Sequence, residues 1–439
     1  MNVACEVFAK SDVRSERPKL GPISVASGFM WVLAGYMGYM ACQWGMIVAL
    51  ARWGSVEVVG QFHLALATTA PIILFTNLGL RRVYATDSRG EFGFKDYLGL
   101  RLGMSLVALV LIAGIALVGD RSAAMVWVLL AMGVAKAIES ISDILHGYFQ
   151  NCRRIDIGAR STLLKGPVSL LTLIAGFLLT RSALGAVVGM AAGWLAVVLF
   201  YDLRLAARLR RQESAVPRSA GAKFSLARLS LPMGIVALIT SLRANIPTLV
   251  IAAFMEERWL GLFGALIYFH AASNRVVSAL GEAATTPLAS RYLSGDRDSY
   301  VRLLGKLTWV ALAISGAGLA VAALAGREIL GAFYGPEYAK QAAVLVVVMA
   351  SVAAANLQTI LDYAMTAARR FKIQPYLYGA GALVLFALCA VLVPSQGIRG
   401  AALALGLGSV IEIIASAVIV AWAVGHLRAA TPRPGAGTA

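Results

Sequence analysis

The sequence predicts an all-α polytopic membrane protein with about twelve transmembrane helices in two six-helix lobes. Of its 439 residues, 59% are hydrophobic and only 14% are charged, whereas a soluble domain is usually about half apolar and about a quarter charged. Apolar runs of about 20 residues, enough to cross a hydrocarbon core of roughly 30 Å, recur from Gly28 almost to the end of the chain. These two observations place the chain among proteins that cross a bilayer many times.

Short polar segments separate the predicted spans. The spans start near residues 28, 60, 100, 123, 159, 183, 230, 259, 304, 341, 374 and 399. The longest internal polar connection, "DLRLAARLRRQESAVPRSAGAKFSLARLS", lies at the midpoint of the series and has the composition of a linker. We therefore predict a cytoplasmic N-terminal tail (1–27), an N-lobe (28–203), a cytoplasmic linker (204–229), a C-lobe (230–426) and a cytoplasmic C-terminal tail (427–439).

The basic residues predict the orientation of the chain in the membrane. With the N-terminus inside, cytoplasmic segments hold roughly 29 of the 39 Lys and Arg, external loops about 7 and helix interiors about 3. The formal charge of +17 is therefore interpreted as positive-inside topology with attraction to anionic lipid, and no nucleic-acid partner is expected.

The polar stretch before the first apolar run is too long for a signal-peptide core. The four cysteines lack CxxC spacing and are interpreted as free thiols.

The two halves show a weak internal match. The segments "ALARWGSVEVVGQFHLALAT" (49–68) and "VIAAFMEERWLGLFGALIYF" (250–269) align without gaps and pair Gly60 with Gly261. Each segment joins the first and second predicted helix of its half. Because both halves are predicted to enter from the cytoplasm, the match indicates a parallel repeat, as in transporters whose repeat axis lies along the membrane normal.

Arg243 is the most informative residue of the apolar spans. It lies near the middle of its predicted span, within "ITSLRANIPTLVIAAF", where an arginine costs a few kcal/mol even on a lenient insertion scale. Pro247, four residues later, removes the backbone bond to the Arg243 carbonyl and is predicted to act as a hinge. A cation and a free carbonyl are thus expected at one depth, facing a wet cavity.

The next predicted helix supplies a second arginine at about the same depth. Arg275 is accompanied by His270, Asn274 and Ser278, which share one helical face, and by Glu282, about 10 Å further along the axis. Two interpretations remain open for Arg243 and Arg275. They either brace neighbouring helices or form a cationic centre for the head of a lipid-borne phosphate or pyrophosphate.

Acidic residues inside the spans are candidates for ion coupling. Lys136, Glu139 and Asp143 share one helical face. Lys136 and Glu139 are predicted to form a salt bridge; in the alternative interpretation, Glu139 is a proton or sodium site. Asp143 is expected to be solvated near the inner end of its helix. Glu412 and Asp362 have no evident partner on their own helices, and the deeper Glu412 is the second coupling candidate, with Glu282 as a third.

The first span carries Tyr36, Tyr39 and Gln43 as a polar stripe that is interpreted either as helix packing or as a sugar-binding wall of a cavity.

Catalytic patterns are sparse: there is no Walker loop, no metal-ligand spacing and no nucleophile elbow. The sequence therefore predicts no enzyme activity, no cofactor and no metal site.

Three stretches resemble the Wzx-type polysaccharide flippases of the multidrug/oligosaccharidyl-lipid/polysaccharide exporter superfamily. They are "LARWGSVEVVGQFHLALA", "RANIPTLVIAAFMEERWLGLFGALIYF" and "FYGPEYAKQAAVLVVVMASVAAANLQTIL". The last resembles the family's Phe-Gly-x-Glu-Tyr segment with Phe333, Gly335, Glu337 and Tyr338. The resemblance covers nearly the whole chain and rests on the order and spacing of these stretches.

The resemblance implies a MATE-like architecture that moves an undecaprenyl-pyrophosphate-linked oligosaccharide from the cytoplasmic to the periplasmic leaflet of a bacterial inner membrane by alternating access. It also implies that Arg243 and Arg275, matched by helix and depth, receive the pyrophosphate. Implied partners are the lipid-linked substrate, the bilayer, a polysaccharide polymerase or export machinery and a coupling H⁺ or Na⁺. The first span lacks the acidic residue of many multidrug members. A multidrug cation antiporter is the alternative, ahead of a membrane glycan polymerase or ligase or a non-transporting scaffold.

Overall fold

The computed structural model describes residues 25–87, 90–118, 122–210, 221–370 and 373–426. Within these ranges the chain is helical and contains no strand, which confirms the all-α fold class. Most of the predicted N-terminal tail, the C-terminal tail and the centre of the predicted linker (211–220) lie outside the described residues.

Fourteen α-helices and one π-helical turn make up the described chain. The helices are α1 (Val25–Trp53), α2 (Val56–Thr76), α3 (Leu80–Thr86), α4 (Phe94–Val118), α5 (Ala123–Asn151), α6 (Ile155–Thr180), α7 (Ala183–Val197), α8 (Leu203–Arg210), α9 (Ala222–Phe254), α10 (Glu257–Leu293), α11 (Arg297–Phe333), α12 (Pro336–Ala339), α13 (Ala342–Ala367) and α14 (Gln374–Gly425). The π-helical turn, Val198–Asp202, joins α7 to α8.

The number of membrane crossings agrees with the predicted twelve. Ten helices among the described residues are long and apolar enough to cross a membrane by length and composition. One of them, α14, has 52 residues, about 78 Å if it were straight, and its helical backbone is interrupted at Gly397, where φ is 59° and ψ is −140°. It therefore supplies two crossings. The more polar α10, with 37 residues, is not among the ten but is long enough to be the twelfth.

The chain divides into two compact units that do not follow the predicted lobes residue by residue. Unit 1 contains the described residues up to Met46 and Ile72–Ile235; unit 2 contains Ile47–Pro71 and the chain from Val236 onward. The α1–α2 turn and the helical segments beside it, Ile47–Pro71, thus pack with the second half of the sequence. The lobes 28–203 and 230–426, as bodies that move, stay a prediction.

Aromatic packing holds together one end of unit 1. Tyr84 stacks on Tyr97 with ring centroids 4.3 Å apart, and Phe94 packs against Tyr148 at 4.9 Å. The three tyrosines belong to a buried cluster from α3, α4, α5, α6, α8 and α9, and Phe94 packs against it. Offset and tilted aromatic pairs add stabilisation beyond the area that they bury. This cluster therefore holds in place the ends of the helices that carry the polar residues of unit 1.

Two glycines cross reciprocally in unit 2. A Cβ atom at Gly60 would overlap the carbonyl oxygen of Glu257, and one at Gly261 would overlap the carbonyl oxygen of Val56. The gapless match of the two halves pairs Gly60 with Gly261 and Val56 with Glu257. The matched turns therefore touch each other through equivalent atoms, and only glycine permits backbones to approach so closely.

The segment around Phe333 forms a sharp turn between α11 and α13. Gly335 has φ 109°, a conformation that favours glycine, and Pro336 then begins α12. Tyr338 is buried against Tyr334, and burial raises the pKa of its hydroxyl. Glu337 forms an ion pair with Arg258 at 3.3 Å. The Phe-Gly-x-Glu-Tyr residues thus shape and anchor a turn.

Candidate functional site

Arg243 is surrounded by polar groups from two other helices of unit 2. Its guanidinium donates a hydrogen bond to Glu412 of α14 at 2.5 Å and one to Gln358 of α13 at 2.9 Å. The Gln358 amide also donates to the Glu412 carboxylate. The Tyr378 ring lies 5.8 Å from the guanidinium carbon, within cation–π range. We call Arg243, Gln358, Tyr378, Glu412 and Asp362 the Arg243 centre.

Asp362 adds a second carboxylate to the Arg243 centre. It lies within electrostatic range of Arg243 and Glu412, and the Tyr378 side chain is within hydrogen-bonding reach of it. One of its oxygens is buried without a hydrogen-bond partner among the described residues. The centre therefore holds two acidic groups around one permanent cation, in a segment where solvation by water is restricted.

The cation of the Arg243 centre is not fully enclosed. The Arg243 side chain keeps 23% of its surface exposed, whereas that of Glu412 keeps 3%. A guanidinium has five N–H donors in a planar fork, and the Glu412 and Gln358 bonds use one of its terminal nitrogens. Arg243 thus connects three helices, and part of its side chain stays exposed.

The structure places the other predicted residues of α10 in two groups. Arg275 and Glu282 are exposed, and both lie in electrostatic range of Tyr363, as does Asp362. Asn274 instead belongs to a network of helix packing: it donates to Thr359 at 2.9 Å. Ser278 and His270 are half-buried on the same helix.

Asn356 is the hub of that packing network. Its amide donates to Ser273 of α10 at 3.0 Å and to Ser315 of α11 at 2.8 Å. Asn356 and Ser315 are completely buried, and buried polar groups need such partners because leaving them unpaired costs free energy. The network therefore connects α10, α11 and α13, and the predicted binding role of Asn274 stays a prediction.

A cavity of about 260 Å³ opens in unit 1. Its polar lining includes Tyr36 and Tyr39 of α1, Arg81 of α3, Glu139, Asp143 and His146 of α5, and Lys165 of α6. We call it the unit 1 cavity. Two residues of the predicted tyrosine stripe thus line a polar cavity, and Gln43 is half-buried one turn further along the helix, outside the lining.

Each acid at the rim of the unit 1 cavity is paired with a cation. Lys136 binds Glu139 at 2.8 Å, as the i, i+3 spacing predicted, and the Tyr39 hydroxyl donates to the same carboxylate at 3.3 Å. Asp143 accepts from buried Arg101 at 3.0 Å and meets Arg81 at 3.5 Å. The expectation of a simply solvated Asp143 is therefore incomplete, because two arginines hold it.

A chain of buried polar groups leads away from the unit 1 cavity. The Lys165 ammonium donates to the Ser142 hydroxyl, which donates to Asp202. His146 contacts both Ser142, at 3.3 Å, and Asp202, at 3.9 Å. Asp202 is completely buried and ends the π-helical turn, a local irregularity that is frequent at functional sites.

Sequence reasoning missed several of these residues. Lys165 and Arg101 are cations inside apolar helices, and this signal was available in "TLLKGPVSLL" and "LGLRLGMSL". Arg81 and Asp202 lie at predicted helix ends, where charges are ordinary. The pairing of Glu412 with Arg243 was also not visible, because 169 residues separate the two. The predicted roles of Arg243, Arg275 and the acidic residues stay predictions.

No protein-family model matches the chain. A curated relative, the capsular polysaccharide biosynthesis protein CapF of Staphylococcus aureus, is 20% identical over 384 residues, which cover 85% of this chain and 93% of the relative. A solved multidrug resistance MATE family transporter of the MOP superfamily, in its inward-facing conformation, superposes with a TM-score of 0.73 at 13% identity, covering 92% of this chain and 99% of that one. The lipid II flippase MurJ, in an inward closed conformation, superposes with a TM-score of 0.71 at 12% identity, covering 90% and 87%.

These identities are low while the coverage is nearly complete, so the likeness concerns the whole fold rather than one motif. The sequence resemblance to the multidrug/oligosaccharidyl-lipid/polysaccharide exporter superfamily is confirmed at the level of architecture. The chain is a multi-pass membrane protein with the fold of the MOP-superfamily transporters.

Proposed function

We propose that this chain is a flippase that moves an undecaprenyl-pyrophosphate-linked oligosaccharide from the cytoplasmic to the periplasmic leaflet of a bacterial inner membrane. The saccharide is a repeat unit of capsule, O-antigen or exopolysaccharide. The observation that carries the proposal is a convergence: a relative named for capsular polysaccharide biosynthesis and a lipid flippase of the same fold both match most of the chain. Transport, rather than catalysis, is the proposed activity.

The Arg243 centre supports an anionic substrate head. In this arrangement Glu412 and Gln358 accept from one terminal nitrogen of the guanidinium, and 23% of the Arg243 side chain stays exposed. A pyrophosphate supplies several acceptor oxygens, which match the fork of an arginine better than a point-like ammonium. We propose that the head group is bound by Arg243, with the exposed Arg275 as a second cation, and that Pro247 allows α9 to bend during transport.

Coupling to an ion gradient is proposed at the acidic residues. Glu412 and Asp362 share one cation in the Arg243 centre, so uptake of H⁺ or Na⁺ there would free Arg243 for the substrate. Glu139 and Glu282 are the other candidates. The same two carboxylates are the observation that favours the second candidate function, a multidrug cation antiporter. Drug-resistance profiling separates the two, because a polysaccharide flippase leaves drug tolerance unchanged when it is deleted.

The proposal is tested by complementing a null strain with Arg243→Ala, Arg243→Lys and the matched control Glu412→Gln at equal protein levels. Surface polysaccharide and inner-membrane lipid-linked oligosaccharide are measured together. We expect precursor to accumulate with Arg243→Ala and partial export with Arg243→Lys. Glu412→Gln breaks the same ion pair but keeps the cation, so it should accumulate less precursor than Arg243→Ala, although loss of a coupling carboxylate should keep its export below that of the unchanged chain. Normal surface polysaccharide in the null strain itself would contradict the proposal.

A further inference from the structure

Among the described residues, the side chains in and around the unit 1 cavity include one cation more than acids: Lys136, Arg101, Lys165 and Arg81 against Glu139, Asp143 and Asp202. Glu139 is neutralised by Lys136, and Asp143 is neutralised by Arg101, and neither of these cations lines the cavity. Lys165 is linked through Ser142 to Asp202. The remaining cation is Arg81, whose side chain is 45% exposed.

The two arginines of Asp143 are not equivalent. Arg101 is 1% exposed and binds one carboxylate oxygen at 3.0 Å, whereas Arg81 reaches the other oxygen only at 3.5 Å. A longer, exposed ion pair is worth little. Arg81 can therefore turn part of its guanidinium toward an anion in the cavity without leaving a buried charge unpaired.

The rest of the lining suits a hydroxyl-rich ring. Glu139 and Asp143 are each about one-third exposed, so their free lone pairs can accept from hydroxyl groups. Tyr36 and Tyr39 supply amphipathic rings on the opposite helix. The volume of about 260 Å³ is below the usual range for drug-sized ligands, roughly 300 to 1,000 Å³, so the cavity has room for one sugar ring rather than an oligosaccharide.

We propose that the unit 1 cavity binds a single acidic sugar residue, with its anionic group on Arg81 and its hydroxyls on Glu139 and Asp143. The anionic group is a ring carboxylate or a phosphate ester. The inference rests on the proposed function in one respect: it identifies the bound sugar with part of the transported saccharide. It assigns a site for saccharide selection that is separate in sequence and in unit from the Arg243 centre.

The test is saturation-transfer NMR on the purified full-length chain in lipid nanodiscs with three probes: sodium glucuronate, glucose 6-phosphate and glucose. We expect the acidic sugars to bind at least about tenfold more tightly than glucose. This ratio of dissociation constants corresponds to the free energy of about one charge-assisted hydrogen bond. Arg81→Gln should remove that advantage, and Arg81→Lys should keep part of it. Arg82→Gln, the same change on the exposed neighbouring residue, should bind like the wild type.

Each outcome decides the inference. Tighter binding of glucuronate than of glucose 6-phosphate assigns the anion to a carboxylate, and the reverse assigns it to a phosphate. Equal binding of glucose and the acidic sugars, no binding of any probe, or an unchanged preference in Arg81→Gln would overturn it. Because binding is measured on the isolated protein, its failure is distinct from normal polysaccharide export in a null strain, which would instead contradict the flippase function.

Discussion

Arg243 shows how a permanent cation is accommodated in an apolar helix. Its charge is balanced by Glu412 and shared with Gln358 and the Tyr378 ring. A buried pair of this kind contributes little net stability compared with apolar residues, but breaking it by removing one partner is costly. The residue therefore braces α9 against α13 and α14 even if an anion later competes for it.

A double-mutant cycle measures this bracing. We expect Arg243→Gln to lower the free energy of unfolding by roughly 3 to 5 kcal/mol, because it leaves the Glu412 carboxylate buried without its cation. Glu412→Gln should cost less, since Arg243 remains partly exposed. The double variant should be more stable than the sum of the single effects predicts, with a coupling of about 1 to 3 kcal/mol. Thermal unfolding in detergent measures these effects, and additive effects would mean that the Arg243 and Glu412 side chains do not interact.

The reciprocal glycines make a second prediction at the residue scale. Gly261→Ala should destabilise the protein by about 1 to 3 kcal/mol, because the new methyl group would overlap the carbonyl oxygen of Val56. Gly114→Ala is the matched control, since nothing lies within 4 Å of a Cβ there, and alanine favours a helix by up to about 1 kcal/mol. Equal unfolding temperatures for the two variants would mean that the crossing is looser than described.

At the scale of elements, α14 depends on one residue for its shape. Gly397 has φ 59° and ψ −140°, which side chains with a Cβ rarely adopt. Gly397→Ala should cost about 1 to 3 kcal/mol of backbone strain. The nearest atom to the new methyl group would be the flexible end of Met255, so strain rather than collision decides the effect. Gly379→Ala, in the same helix with open space around it, should be neutral or stabilising in the same unfolding measurement.

The continuity of α9 makes Pro247 testable as a hinge. The helix runs through the proline from Ala222 to Phe254, although proline inside a helix costs about 3 kcal/mol relative to alanine. Pro247→Ala should therefore raise the unfolding temperature. If the proline permits bending during transport, the same variant should slow export and accumulate lipid-linked precursor. A more stable variant with normal export would assign Pro247 no part in the motion.

At the scale of the whole molecule, the basic residues predict the orientation of the chain in the membrane. The excess of Lys and Arg in alternate loops predicts that the α6–α7 turn lies outside and the α10–α11 turn lies inside. Reporter fusions after Ser182 and after Gly295 test this. Alkaline phosphatase should be active only at the first position, and green fluorescent protein should fluoresce only at the second. The reverse pattern would invert the proposed direction of transport.

The sequence by itself determined the class of this protein, the series of apolar spans and the matched glycines, because span length and hydropathy are properties of neighbouring residues. It also singled out Arg243, since a cation in an apolar run is visible without a structure. Only the tertiary structure decided what surrounds that cation, and it showed that Asn274 contacts Thr359 and Asn356 of α13. It also revealed the unit 1 cavity, whose charges come from α3, α5 and α6. Such pairings depend on how distant helices pack, and local periodicity carries no information about which residues of separate helices meet.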